Sequence, residues 1–216
     1  MIEALVPASA CAEMFSDVPE STMFPIEAAA VANAVPERRR EFATVRYLAR
    51  RALLQIGMPA VPVPPDVDRA PRWPDGVVGS MTHCPGYRAA AVARSGDMHS
   101  LGIDAEPKAA MPDEALDLVL REEERAQLQA LAAASPDLHW DRILFCAKEA
   151  VYKAWFPLTR RWLDFADVST TVRPDGTFWA RLHVRGPRVA GVDLDGFSGR
   201  WVVGRDLVIA ATSVTS

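Results

Sequence analysis

The chain has 216 residues, half of them hydrophobic and 24% charged, with a formal net charge of −4. That length buries a sizeable core as one domain or two small ones, and the balance is ordinary for a soluble globular protein. The acidic balance argues against general nucleic-acid binding while leaving room for a local basic pocket, and no apolar run is long enough to span a membrane.

Three cysteines, Cys11, Cys84 and Cys146, form no C-x-x-C pair and read as free thiols in a reducing cytosol. Glu3 and the absence of Lys or Arg before Arg38 speak against a secretory signal. The expected location is the cytoplasm.

In chain order, residues 1–25 are interrupted by Pro7, Pro19 and Pro25 and read as an irregular arm with one short strand. An Ala-rich helix over 26–35 is expected to end at Pro36. Pro36 then opens a longer helix to about Ile56, with Gly57 past its end. Phe42, Val45, Ala49, Ala52, Leu53 and Ile56 form its apolar stripe. Arg39, Arg46 and Arg50 border that stripe, and Arg38 lies on its azimuth at the amino end. Such arginines either lay their stems over apolar neighbours and reach water, or grip phosphate with a fork of donors.

Residues 59–76 hold six prolines and form a semi-rigid connector carrying Arg69 and Arg72, just before Trp73-Pro74-Asp75-Gly76. Strands are expected over 77–81, 88–94 and 100–104, with turns at Pro85-Gly86 and Ser95-Gly96-Asp97. Asp104 and Glu106 flank Ala105, so on an extended segment both carboxylates point to one side. An all-oxygen pair of this kind suits a hard cation such as Mg2+.

After a linker at 107–112, residues 113–134 read as helical with breaks. The run Arg121-Glu122-Glu123-Glu124-Arg125 within them reads as a solvated face. The next helix, 140–155, lacks Gly and Pro and is expected to stop at Pro157. Leu144, Ala147, Val151, Ala154 and Trp155 gather on one side. Glu149 and Lys153 sit opposite, one turn apart, with Lys148 and Tyr152 along the flank. On pattern alone this is a solvated face with an i,i+4 pair. Strand candidates follow at 165–172, 177–184, 199–203 and 207–212. Helices followed by strands occur twice, which suggests two similarly built lobes. His99, His139 and His183 have no metal-like spacing. Trp155, Phe156, Trp162 and Phe165 read as core or cleft wall.

Three stretches taken together alter the reading of that helix. Residues 76–83 carry G-x-x-G-S-x-T-H, 102–106 carry G-I-D-x-E, and 145–155 carry F-C-x-K-E-A-x-x-K-A-W. In this order the chain resembles the 4′-phosphopantetheinyl transferases, of the Sfp/EntD type and its actinobacterial PptT-like members, over about residues 36–165. The resemblance implies an α+β fold of two pseudo-symmetric α/β lobes with the active site in the cleft between them. We expect an N-terminal lobe of residues 1–103 that grips the coenzyme A nucleotide. The C-terminal lobe, 104–216, would hold the metal site and the catalytic helix.

The implied reaction moves the 4′-phosphopantetheine arm of coenzyme A to a serine of an apo acyl or peptidyl carrier protein and releases adenosine 3′,5′-bisphosphate. It implies Mg2+, with Mn2+ able to substitute, held by Asp104, Glu106 and Glu149. Glu149 is also the expected base, itself or through a metal-bound water. Lys153 would reach the bridging or leaving-side phosphate, with Lys148 in the same grip. Thr82 and His83 match the pair that holds coenzyme A phosphates, and Arg38 and Arg46 match the grip on the 3′-phosphate. Arg69 and Arg72 offer the basic residue before the W-P-x-G turn, although Asp68 stands where close relatives have lysine. A basic lip at Arg160 and Arg161 would suit acidic carrier helices. A monomer is expected, without nucleic-acid or membrane partners. A coenzyme A-binding module without transfer and a metal-dependent phosphohydrolase acting on coenzyme A are the alternatives.

Overall fold

The computed structural model describes residues 1–6 and 8–216. Pro7, expected to interrupt the N-terminal arm, lies outside the described residues. The arm carries strand β1 (Ala10–Met14) and leads to helix α1 (Pro25–Ala30) and helix α2 (Pro36–Gln55). Strands β2 (Val77–Cys84), β3 (Tyr87–Arg94) and β4 (Met98–Pro107) come next. They lead to helices α3 (Asp113–Val119), α4 (Glu122–Ala134) and α5 (Trp140–Thr159), then β5 (Val168–Val172) and β6 (Thr177–Leu182). A two-residue hairpin, β7 (Arg188–Val189) and β8 (Val192–Asp193), precedes β9 (Gly196–Val203) and β10 (Leu207–Thr215).

The fold is α+β, with antiparallel pairing in every sheet. One sheet has the order β1-β3-β2 and the larger one β4-β10-β9-β6-β5. Helix α2 buries Leu48, Ala49, Ala52 and Leu53 against Val77, Ala90 and Val92 of the smaller sheet. Alternation turns Ala89, Ala91 and Ala93 of β3 the other way, onto Ile103, Ala105, Ile209 and Ala211 of β4 and β10. The opposite face of the larger sheet takes α5, whose Leu144, Ala147, Val151, Ala154 and Trp155 are all buried.

Several expected boundaries move. Helix α1 stops at Ala30 rather than running to Pro36, and Val35 is extended (φ −62°, ψ 153°), as the residue before a proline prefers. Helix α5 passes Pro157 and ends at Arg160, which takes a left-handed conformation (φ 55°). Pro157 sits in the last turn, where it forfeits one amide donor without ending the helix. The expected lobe boundary between Ile103 and Asp104 falls inside β4, which pairs with β10 without interruption from Ser100 to Pro107. Glu124, expected on a solvated face, is 1% exposed, because it answers the buried ammonium of Lys148.

Two contacts bring α5 and β2 onto β4. A Cβ on Gly102 would lie 1.9 Å from the Ala150 carbonyl oxygen, so only glycine admits the helix this close. On β2, Ser80 Oγ accepts the Ile103 amide at 3.0 Å and Thr82 Oγ1 accepts the Ala105 amide at 3.0 Å. The two sheets are thus joined at this edge by hydroxyls instead of a backbone ladder.

Candidate active site

A cavity of about 550 Å³ opens between α2, the proline-rich connector, β2 and α5. Among the residues expected to bind a ligand, it is lined by Arg38, Arg46, Arg69, Thr82, His83 and Lys153. Trp73, Tyr152 and Phe156 give it an aromatic wall, and Gly79 gives β2 a bare stretch of backbone against Trp73. Arg72 is exposed and does not line the cavity. Arg69 does, at the tip of a loop where it holds φ at 67°.

Arg46 is buried, with its guanidinium carbon 3.5 Å from the Phe42 ring centroid and its Nε donating to the Val63 carbonyl at 3.2 Å. Burial, against the attraction of Glu27, brings its pKa down to about 9, so it remains a cation at neutral pH. Glu27 itself is wholly buried and takes Arg50 at 2.9 Å and the Val63 amide at 2.8 Å. Arg50, on the same stripe border, is therefore committed to the fold rather than to the cavity.

At the mouth, Arg38 Nη1 meets His83 Nε2, and His83 Nδ1 lies 3.3 Å from Glu41 Oε2. Burial, and after it the Arg38 charge, pulls the imidazole down to about 4. Glu41 also stands 3.4 Å from Arg38 and 3.5 Å from Arg88. Neither Glu41 nor Arg88 stood out in the sequence, although Glu41 lies three residues after Arg38, one turn along the same face.

Asp104, Glu106 and Glu149 are not in the cavity lining themselves; Thr82 and Lys153 of the lining reach Asp104 behind it. Asp104, 5% exposed, takes the Lys153 ammonium on Oδ1 at 2.7 Å and the Thr82 hydroxyl at 3.1 Å. Burial opposes the charge on Lys153, but pairing with Asp104 and the nearby Glu149 outweigh it and raise its pKa. Burial first, then Asp104 and Glu106, pushes Glu149 up to about 7, against Lys153. Burial and Asp104 likewise raise Glu106, although Arg142 Nη1 donates to it at 2.9 Å. Three carboxylates therefore share one electrostatic site on α5 and β4. Arg142 was missed in the sequence, yet it precedes Glu149 by seven residues, two turns on one face.

The donor set fits a hard cation. It is all oxygen, its members disfavour one another's charge, and Asp104 Oδ2 is buried with no hydrogen-bond partner. Among the described residues no three His, Cys, Asp or Glu side chains close into a metal cage. A cation here would complete its shell with ligand phosphate and water, as Mg2+ does.

Lys148 does not join this group. It is 1% exposed and turns away from the cavity, donating to Glu124 at 2.7 Å, the Val119 carbonyl at 2.8 Å and the Phe165 carbonyl at 3.2 Å. On a helix with its core face on the sheet, the flank carrying Lys148 meets α4, so the ammonium is sealed in. Of the expected basic lip, Arg160 pairs with Asp66 at 2.5 Å and Arg161 donates to the Arg185 carbonyl at 2.5 Å. Trp155 is core and Phe156 lines the cavity, while Trp162 is 73% exposed and stands 5.1 Å from Tyr152, ring to ring.

Comparison with known proteins adds two family matches. The model described as 4′-phosphopantetheinyl transferase N-terminal domain matches residues 26–93, and the one described as 4′-phosphopantetheinyl transferase superfamily matches residues 100–210. The chain is 56% identical to the 4′-phosphopantetheinyl transferase Svp of Streptomyces mobaraensis, covering 100% of this chain and 90% of that one. It is 46% identical to the 4′-phosphopantetheinyl transferase PptT of Mycobacterium tuberculosis, over 98% of this chain and 96% of that one. Enterobactin synthase component D of Salmonella typhi is 35% identical over 55% of this chain and 49% of its own.

Proposed function

The chain belongs to the 4′-phosphopantetheinyl transferase superfamily, and from that premise we propose how its residues divide the work of moving phosphopantetheine from coenzyme A to a carrier protein. The cavity takes coenzyme A, with Arg38, Arg46, Arg69 and His83 as its phosphate grip. Arginine forks and a half-buried imidazole are groups that match phosphate oxygens. Lys153 sits where the cavity meets the carboxylates, placed to meet the charge that grows on the pyrophosphate as its bond breaks. Thr82 holds Asp104 in place and joins the sheets. Lys148 braces α5 from behind.

Asp104, Glu106 and Glu149 are the residues that would hold Mg2+ or Mn2+. A divalent cation held there would supply charge neutralisation for the pyrophosphate. Glu149 accepts the proton of the attacking carrier serine. Of the three carboxylates it is the one, on α5, that neither Lys153 nor an arginine pairs with directly, which leaves it available to take that proton. The new bond joins the serine oxygen to the phosphorus bearing pantetheine, and adenosine 3′,5′-bisphosphate leaves.

One observation carries this reading. The Lys153–Asp104 pair, 2.7 Å apart, stands at the cavity edge with the second Asp104 oxygen buried and unpartnered. One chain supplies every group named, so a monomer suffices. Among the described residues no helix is long and apolar enough to cross a membrane; cytoplasm, where coenzyme A and carrier proteins meet, is the proposed place of work.

Intact-mass spectrometry of apo acyl and peptidyl carrier proteins, incubated with coenzyme A, Mg2+ and this protein, tests the reading. The expected result is a gain of one phosphopantetheine arm. Release of phosphopantetheine to water without a carrier would favour a hydrolase, and coenzyme A binding with no gain on any carrier would favour a binding module.

A further inference from the structure

We propose that Glu41 is a positioning residue of the phosphate grip: it turns His83 Nδ1 to itself and Nε2 to the cavity side, and it sustains the imidazolium that forms when a phosphate of coenzyme A enters, so that binding takes up a proton at His83. The inference rests on reading the cavity as the coenzyme A site.

A carboxylate set directly behind an anion grip, outside the cavity lining but against its bases, weakens the grip's positive charge and needs a reason to be there. Glu41 is only 15% exposed and gathers three bases from three elements, with Oε2 near Arg38 of α2 and His83 of β2, and Oε1 near Arg88 of β3. An arginine has donors and no acceptor. A neutral ring facing Arg38 with Nε2 has to accept there, which assigns its hydrogen to Nδ1, 3.3 Å from Glu41 Oε2.

The groups facing His83 are Arg38 and Glu41 from α2, Arg88 from β3 and Lys153 from α5. Arg88 is also paired with Asp17 at 3.0 Å and Lys153 with Asp104 at 2.7 Å, so burial and the Arg38 charge are what keep the half-buried ring neutral in the free protein. A phosphate dianion reverses that balance. It draws the cations to itself, places negative charge at Nε2 and needs a donor there. The proton comes from solvent and goes to Nε2, while Glu41 faces the Nδ1–H. No bond to carbon or phosphorus changes. Without Glu41, the ring loses the partner that fixes its tautomer and stabilises its charged form.

Calorimetric titration with coenzyme A in buffers of different ionisation enthalpy, between pH 6 and 8, reads the proton count. The His83→Gln variant supplies the baseline due to the ligand's own phosphates. Above that baseline the wild type should take up as much as one proton, its affinity weakening by up to about tenfold per pH unit. In Glu41→Gln the extra uptake should vanish and affinity near neutrality should fall about tenfold or more, while Glu41→Asp restores both. Histidine 15N spectra of the free protein, assigned through His83→Gln, should place the hydrogen on Nδ1 in the wild type and distribute it over both nitrogens in Glu41→Gln.

Equal proton uptake and the same tautomer in wild type and Glu41→Gln, with affinity lost in His83→Gln, would overturn the role of Glu41. Wild-type affinity in His83→Gln would instead remove the premise that His83 meets the ligand.

Discussion

The hydroxyl of Thr82 donates to Asp104 Oδ1 at 3.1 Å while accepting the Ala105 amide at 3.0 Å. One small side chain thus joins the two sheets and orients the carboxylate that also holds Lys153. Replacing Thr82 with valine keeps the shape and strands the buried Ala105 amide, so stability should drop by about 1–3 kcal/mol. Transfer should slow in Thr82→Val and be largely retained in Thr82→Ser. Urea unfolding and transfer rates of the two variants check this; equal rates would contradict the joint.

Gly102 is the point at which α5 rests on β4. A methyl group there would meet the Ala150 carbonyl at 1.9 Å, and backbone must yield because no side chain can. Gly102→Ala should cost about 1–3 kcal/mol or more. Because the shifted helix carries Glu149 and Lys153, transfer should fall further than coenzyme A affinity. Denaturation midpoints alongside initial rates test both halves of this.

Lys148 and Glu124 form a buried pair at 2.7 Å, each about 1% exposed. Lys148→Met leaves the Glu124 carboxylate sealed without its cation and should destabilise the protein by about 3–5 kcal/mol. Adding Glu124→Gln should recover part of that loss. Coenzyme A affinity of the folded fraction should be unchanged, since Lys148 faces away from the cavity. A selective loss of affinity without loss of stability would return Lys148 to the phosphate grip.

His83 falls from its ordinary 6.5 to about 4, through burial and then the Arg38 charge. The unfolded chain therefore binds the proton more readily than the folded one. This contribution to stability is full above pH 6.5 and is lost as pH falls from 6.5 to about 4. Urea unfolding at pH 7 and pH 5 should show a larger drop for the wild type than for His83→Gln. Equal drops would mean that the ring is not held neutral.

Much of this was legible because it depends on period and spacing. The 3.6-residue stripe of 140–155 marks the face of α5 that is buried, and the alternation of Asp104, Ala105 and Glu106 sets both carboxylates on the helix side of β4. What a helical wheel does not say is which neighbour closes each flank. Lys148 and Lys153 are equally basic on paper, but α4 covers one and the cavity meets the other. Thr82 lines the cavity, as a ligand contact would, but its bonds to Asp104 and Ala105 depend on how two sheets meet, which motif spacing does not tell. Glu41 and Arg142 carried a faint signal, a turn or two from expected site residues, with no motif to lift it. That residues 103 and 104 lie within one strand is hidden from local patterning, because the partner of that strand, β10, comes about a hundred residues later.

The central claim is that Glu149 accepts the serine proton and stays out of the coenzyme A grip. The most direct measurement is the single-turnover rate of wild type and Glu149→Gln, by intact mass of an apo carrier protein at saturating coenzyme A and Mg2+, beside the coenzyme A affinity of each. We predict a rate lower by about 10²–10⁴-fold with affinity within about threefold. A Glu149→Gln rate within about tenfold of wild type, or affinity lost in parallel with rate, would contradict the account.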